Sequence, residues 1–226
     1  LFFLVKIFPH KKQKLILFYF LNPIIIYSIY IHSQLDIIPT ALLFGSVYFL
    51  LLDKIKISSI FFGLALSTKF HVIIALPLVL FYLYKKQKSI KVVEYIAISF
   101  FILLLLDLPF LFSEGFLNMV LLNPKQTLLF DTFYSIGTLK ILLPIAAILM
   151  VYLHFFNQNK VNQDLLFFYF GLLFTATVFF IYPAPAWYVW MIPFLSIYFI
   201  QNQNQKKSIL LYGAFSLAYL IFFIFF

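Results

Sequence analysis

The sequence predicts an all-α fold: a polytopic transmembrane bundle of about eight to ten helices that includes one short helical hairpin. Three observations lead there. Apolar residues make up 65% of the 226-residue chain and charged residues only 10%, against roughly half and a quarter in soluble domains. Apolar runs recur along the whole length, most of them near the ~20 residues that span a bilayer core as helix. The lysines cluster between those runs, as topology signals do. Helix is the default for such runs because backbone groups in lipid must bond within their own segment.

The runs are Leu15 to Ile31, Ile37 to Leu52, Ile57 to Thr68, His71 to Tyr84, Val92 to Leu106, Ile136 to Leu153, Leu165 to Tyr182, Tyr188 to Ile200 and Ser208 to Phe226. Leu1 to Phe8 is a further apolar stretch without the basic head of a signal peptide. Because the chain opens without Met and inside an apolar run, it reads as a single transmembrane domain, 1–226, truncated at its front.

All sixteen basic residues are Lys and the net charge is +9. Nucleic acid is excluded as a partner because these lysines flank apolar runs. Lys11, Lys12 and Lys14, Lys54 and Lys56, Lys85 to Lys91, Lys160, and Lys206 with Lys207 all fall on the cytoplasmic side by the positive-inside rule. The outer loops are then His32 to Asp36, Asp107 to Ser135 and Pro183 to Trp187. Two lysine clusters on one side require an even number of crossings between Lys56 and Lys85. Each half of that interval reaches only about 20 Å as helix, against a core of ~30 Å. Ser58 to Tyr84 is therefore a short hairpin with Thr68-Lys69-Phe70-His71 at its tip. A lysine at that depth costs roughly 2.5 to 3.5 kcal/mol and needs a partner or a wet recess. Ser59, Gly63 and Ser67 form a small-residue stripe suited to close helix packing. The long Asp107 to Ser135 loop reads as a short amphipathic or re-entrant helix on the outer face.

The chain has no cysteine, and neither a phosphate-binding glycine loop nor a zinc motif is present. No cofactor is expected, and the sequence leaves metal dependence open. Four constellations remain. Asn22-Pro23 breaks or kinks a span, as a structural device or a functional one. His32-Ser33-Gln34-Leu35-Asp36 binds a hydroxylated ligand or forms an ordinary turn. Lys69 and His71 sit on the hairpin tip. Tyr182 to Trp190 is an interfacial aromatic belt or the wall of a binding path. The last three share one side of the membrane and offer acceptors, a carboxylate, a cation and aromatic faces, which suits a sugar-phosphate lipid.

In order, Asn22-Pro23, Gln34 and Asp36, Gly63-Leu64-Ala65-Leu66-Ser67-Thr68-Lys69, Leu76-Pro77 and Trp187-Tyr188-Val189-Trp190-Met191-Ile192-Pro193-Phe194 resemble the polytopic GT-C glycosyltransferases that use polyprenyl-phosphate sugars. The likeness is to the mannosyltransferase branch that includes the first mannosyltransferase of GPI-anchor synthesis and related bacterial enzymes. The chain departs from it at His32-Ser33, where those enzymes carry a small-residue or Arg-Gly turn. The family's catalytic carboxylate lies in the first external loop and is expected upstream of Leu1, so no catalytic residue is assigned here.

The resemblance implies transfer of a hexose such as mannose from a polyprenyl-phosphate donor to a glycan or glycolipid acceptor. The reaction would occur on the outer face of a membrane, taken as the bacterial inner membrane. It further implies that Lys69 faces the lipid phosphate, that His32, Gln34, Asp36 and His71 contact sugar or acceptor, and that Trp187 and Tyr188 wall the path. A transporter or flippase of a lipid-linked glycan is the alternative, and a non-catalytic subunit a third. The absence of matched broken halves favours the enzyme over the transporter.

Overall fold

The computed structural model describes residues 1–86, 88–181 and 183–225. It is nearly all-α. The helices are α1 (Phe2–Ile7), α2 (Pro9–Phe20), α3 (Pro23–Ile31), α4 (Ile37–Leu51), α5 (Ile55–Thr68), α6 (Leu76–Lys85), α7 (Ser89–Asp107), α8 (Leu143–Phe156), α9 (Gln163–Phe179), α10 (Ile192–Gln201) and α11 (Gln205–Phe225). Single-turn pieces join several of them. Among the described residues, two helices, Ser89–Phe110 and Gln205–Phe225, are long and apolar enough to cross a membrane, and the bent pair α2 and α3 makes a third if taken as one span. Shorter apolar helices fill the rest.

The bend between α2 and α3 is 48°. Its cause is Pro23, which cannot donate to the preceding turn. Buried Asn22 repairs the break from both sides. Its amide donates to Phe18 O at 3.1 Å and its carbonyl oxygen accepts Ile24 N–H at 2.9 Å. The α2–α3 pair runs alongside α11: Lys14 reaches Gln205, Tyr212 reaches Leu17, and Tyr27 reaches Phe223 O.

The hairpin from α5 to α6 turns at Lys69, whose extended backbone (φ −163°) ends α5 before a 3₁₀ turn over Phe70–Ala75. Its two arms pack mainly on other helices. On α5, Lys56 meets Glu94, Ser59 meets Ser99 and Ser67 meets Asp107. Those contacts advance in step, so α5 and α7 are parallel and α6 carries the chain back between them. The stripe predicted for close packing does pack closely. A Cβ added at Gly63 would lie 2.6 Å from Ser99 O and 2.7 Å from Ile102 Cβ. Buried hydroxyls of Ser46, Ser58 and Tyr95 tie α4, α5 and α7 together, at 3.1 Å and 2.8 Å from Ser46 Oγ.

Among the loops, residues 107–135 contain a short exposed helical piece, Glu114–Phe116 running into Leu117–Leu121. The run from Ile136 to Leu153 departs from the single helix expected. Phe133–Ile136 (β1) and Leu139–Leu142 (β2) pair as an antiparallel hairpin, and helix starts only at Leu143. Gly137 (φ +60°) supplies the left-handed turn residue. Lys140, counted within a span by hydropathy, is exposed on β2 with its ammonium 4.6 Å from the Phe133 ring centroid.

Candidate functional site

The chemistry gathers at the end of the molecule opposite the main lysine clusters. Asp36 begins α4 and is buried, with 4% of its surface exposed. Its Oδ1 accepts the Trp190 indole N–H at 2.7 Å and is ion-paired with the Lys69 ammonium. Three separate segments therefore meet at one carboxylate oxygen: the start of α4, the hairpin tip and the 3₁₀ turn Pro185–Trp190. A carboxylate this buried needs such partners to be tolerated. The Lys69 side chain keeps 36% of its surface exposed. Its ammonium also lies 5.3 Å from the Trp190 ring centroid, within cation–π range.

An aromatic stack backs the pair. His71 lies on Trp190 with ring centroids 3.6 Å apart and planes 13° from parallel. Trp187 lies on Trp190 at 5.1 Å and 20°. The Nδ1 atom of His71 is buried without a hydrogen-bond partner among the described residues. A neighbouring pair extends the polar end of α5: Ser67 Oγ donates to Asp107 Oδ1 at 2.6 Å.

Of the residues singled out from sequence, the structure joins Asp36, Lys69, His71 and Trp187 through Trp190. His32 and Gln34 lie outside this network. Both are exposed; His32 Nε2 pairs with Tyr27 OH at 3.1 Å, and Gln34 Nε2 reaches only His32 O at 3.5 Å. Tyr188 turns onto α11, packing on Tyr219 at 5.0 Å and Phe223 at 5.7 Å. Tyr182 lies outside the described residues. Trp190, which bonds Asp36 and stacks on His71 and Trp187, is not among the binding residues expected from the sequence. Its spacing of three from Trp187 was the available signal, since that spacing puts both indoles on one side of a helical turn.

The fold and this cluster define an integral membrane protein that holds a half-exposed cation, a buried carboxylate and stacked indoles at one end of its helices. Residues 1–122 match the family model described as ALG3 protein, over half of the 226-residue chain, and the chain belongs to that family. Its members are membrane-integral glycosyltransferases that use a lipid-linked sugar donor. The expectation of a membrane glycosyltransferase is met, and the branch is ALG3. No curated protein and no solved structure gives a match. The matched segment contains Asp36, Lys69, His71 and Asp107; Trp187 and Trp190 lie beyond it.

Proposed function

We propose that the chain transfers mannose from a polyprenyl-phosphate donor to a glycan acceptor, at the membrane face where Asp36, Lys69 and Trp190 meet. One observation carries this reading: Lys69, its side chain partly exposed, stands at the tip of a helical hairpin with its ammonium held by a buried carboxylate. In the transfer, an acceptor hydroxyl oxygen bonds to the sugar's anomeric carbon as the bond from that carbon to the phosphate oxygen breaks. The hydroxyl proton passes to a carboxylate base, and the lipid phosphate leaves with the electron pair. Growing charge on that phosphate calls for a fixed cation. The ammonium has three N–H groups, so Asp36 can hold one while others face the phosphate. Asp36 itself, with two donors already on Oδ1, suits the role of holding Lys69 and Trp190. Trp187, partly exposed, offers a flat face for the sugar or the first isoprene units, and Trp190, buried against His71 and Trp187, backs it. His32 and Gln34, exposed on the loop before Asp36, are the side chains we assign to the acceptor.

The test is transfer from a synthetic polyprenyl-phosphate mannose by purified full-length protein. Lys69→Gln should lower turnover by roughly 10²- to 10³-fold, as loss of one charge-stabilising donor does. Lys69→Arg should retain part of it, because the charge stays and only the geometry changes. A folded Lys69→Gln protein with full turnover refutes the phosphate role. Donor binding without any transfer by the wild-type protein would point to a carrier.

A further inference from the structure

The opposite end of α5 holds a recess of about 510 Å³, lined by Lys54, Lys56, Lys88 and Lys91 together with Asp53. Its charges do not balance. Asp53 pairs with Lys88, and Glu94 serves both Lys91, at 2.6 Å, and Lys56, at 3.8 Å. Lys54 has no acidic partner among the described ion pairs. Four ammonium groups thus face two carboxylates, an excess of two positive charges.

The backbone adds to that excess. Because α5 and α7 are parallel, both begin here, with Lys54 and Lys88 at their N-cap positions. Neither cap side chain accepts a hydrogen bond from the helix, and neither first turn carries an acid. Helix starts expose unpaired N–H groups and partial positive charge, and they favour anions. Here the chain supplies lysines instead, at two helix starts at once.

We propose that this recess binds the phosphate of an anionic phospholipid headgroup. A lipid fits because the recess lies where the apolar helices end. One turn further along the same helices, Ile60 (38%) and Val93 (68%) are exposed and offer acyl chains an apolar path. Basic pockets at helix ends on the cytoplasmic side are suited to such headgroups, because that leaflet carries the negative lipids. The bound phosphate would bridge the α4–α5 turn and the start of α7, bracing the helix whose far end bears Lys69.

The experiment titrates full-length protein in neutral detergent with short-chain phosphatidylglycerol, phosphatidylcholine or inorganic phosphate, and follows thermal stability. Phosphatidylglycerol should stabilise the protein saturably, and the other two should not. Its apparent affinity should fall about fivefold in Lys54→Gln and further in Lys54→Gln/Lys56→Gln, one step for each cation removed. In parallel, amine acetylation of the wild-type protein should show Lys54 and Lys91 protected by phosphatidylglycerol while exposed Lys206 is not. This second measurement stands even if a variant fails to fold. Equal stabilisation by phosphatidylcholine, unchanged affinity in the folded double variant, or no protection of Lys54 and Lys91 overturns the proposal. Stabilisation by inorganic phosphate as strong as by the lipid overturns the headgroup assignment in favour of a free anion.

Discussion

Replacing Lys69 with Met tests whether Asp36 and Lys69 act as a unit. The stem is kept and the ammonium removed, leaving a carboxylate whose side chain is only 5% exposed. Breaking a buried ion pair from one side costs about 3–5 kcal/mol. The value here is smaller, because the Lys69 side chain is 36% exposed and solvent screens it, and because Trp190 still donates to Asp36. We expect about 2 kcal/mol. Asp36→Asn keeps the shape and an acceptor for Trp190, and the unpaired ammonium can turn to water, so about 1 kcal/mol is expected. The double variant strands no charge. It should cost about 1–2 kcal/mol, well below the sum of the singles, which gives a coupling of about 1–2 kcal/mol. Unfolding of all four proteins by SDS titration in mixed micelles measures the cycle. Additivity within about 0.3–0.5 kcal/mol, the value for independent sites, would show that the ion pair does not hold the hairpin tip to α4.

The glycines give a paired prediction. Gly63→Ala forces a methyl against the Ser99 carbonyl and the Ile102 Cβ, neither of which is a flexible side-chain end, and should destabilise by roughly 1–3 kcal/mol. Gly213→Ala, in the interior of α11 with nothing within 4 Å, should be neutral or stabilise by about 0.5–1 kcal/mol; the same unfolding assay reads both, and the reverse order would contradict the packing described. Asn22→Ala leaves Ile24 N–H without its side-chain acceptor while Pro23 remains, and should cost about 1–2 kcal/mol. An unchanged unfolding midpoint for Asn22→Ala would mean that the bend does not depend on that side chain.

Much of the architecture was legible because membrane helices obey few rules. The hairpin tip at Lys69 followed from two lysine clusters and a length too short for two full spans. The bend at Asn22-Pro23 followed from a missing N–H. The small-residue stripe announced the α5–α7 contact because only small side chains allow backbones so near. Hydropathy misread Ile136 to Leu142 because an apolar run does not distinguish strand from helix, and the decisive residue was Gly137 in its turn. It also grouped His32 and Gln34 with Asp36, since neighbours in sequence look alike until a side chain is buried.

The sequence by itself determined that this chain lives in a membrane and where most of its apolar helices lie, because those are set by local hydropathy. Only the tertiary structure decided that Asp36, Lys69 and Trp190 share one point. They are 33 and 154 positions apart along the chain. Their meeting depends on how α4, the hairpin tip and the turn before α10 pack. A buried carboxylate finds its partners in space, and no local pattern in the sequence records which ones it will find.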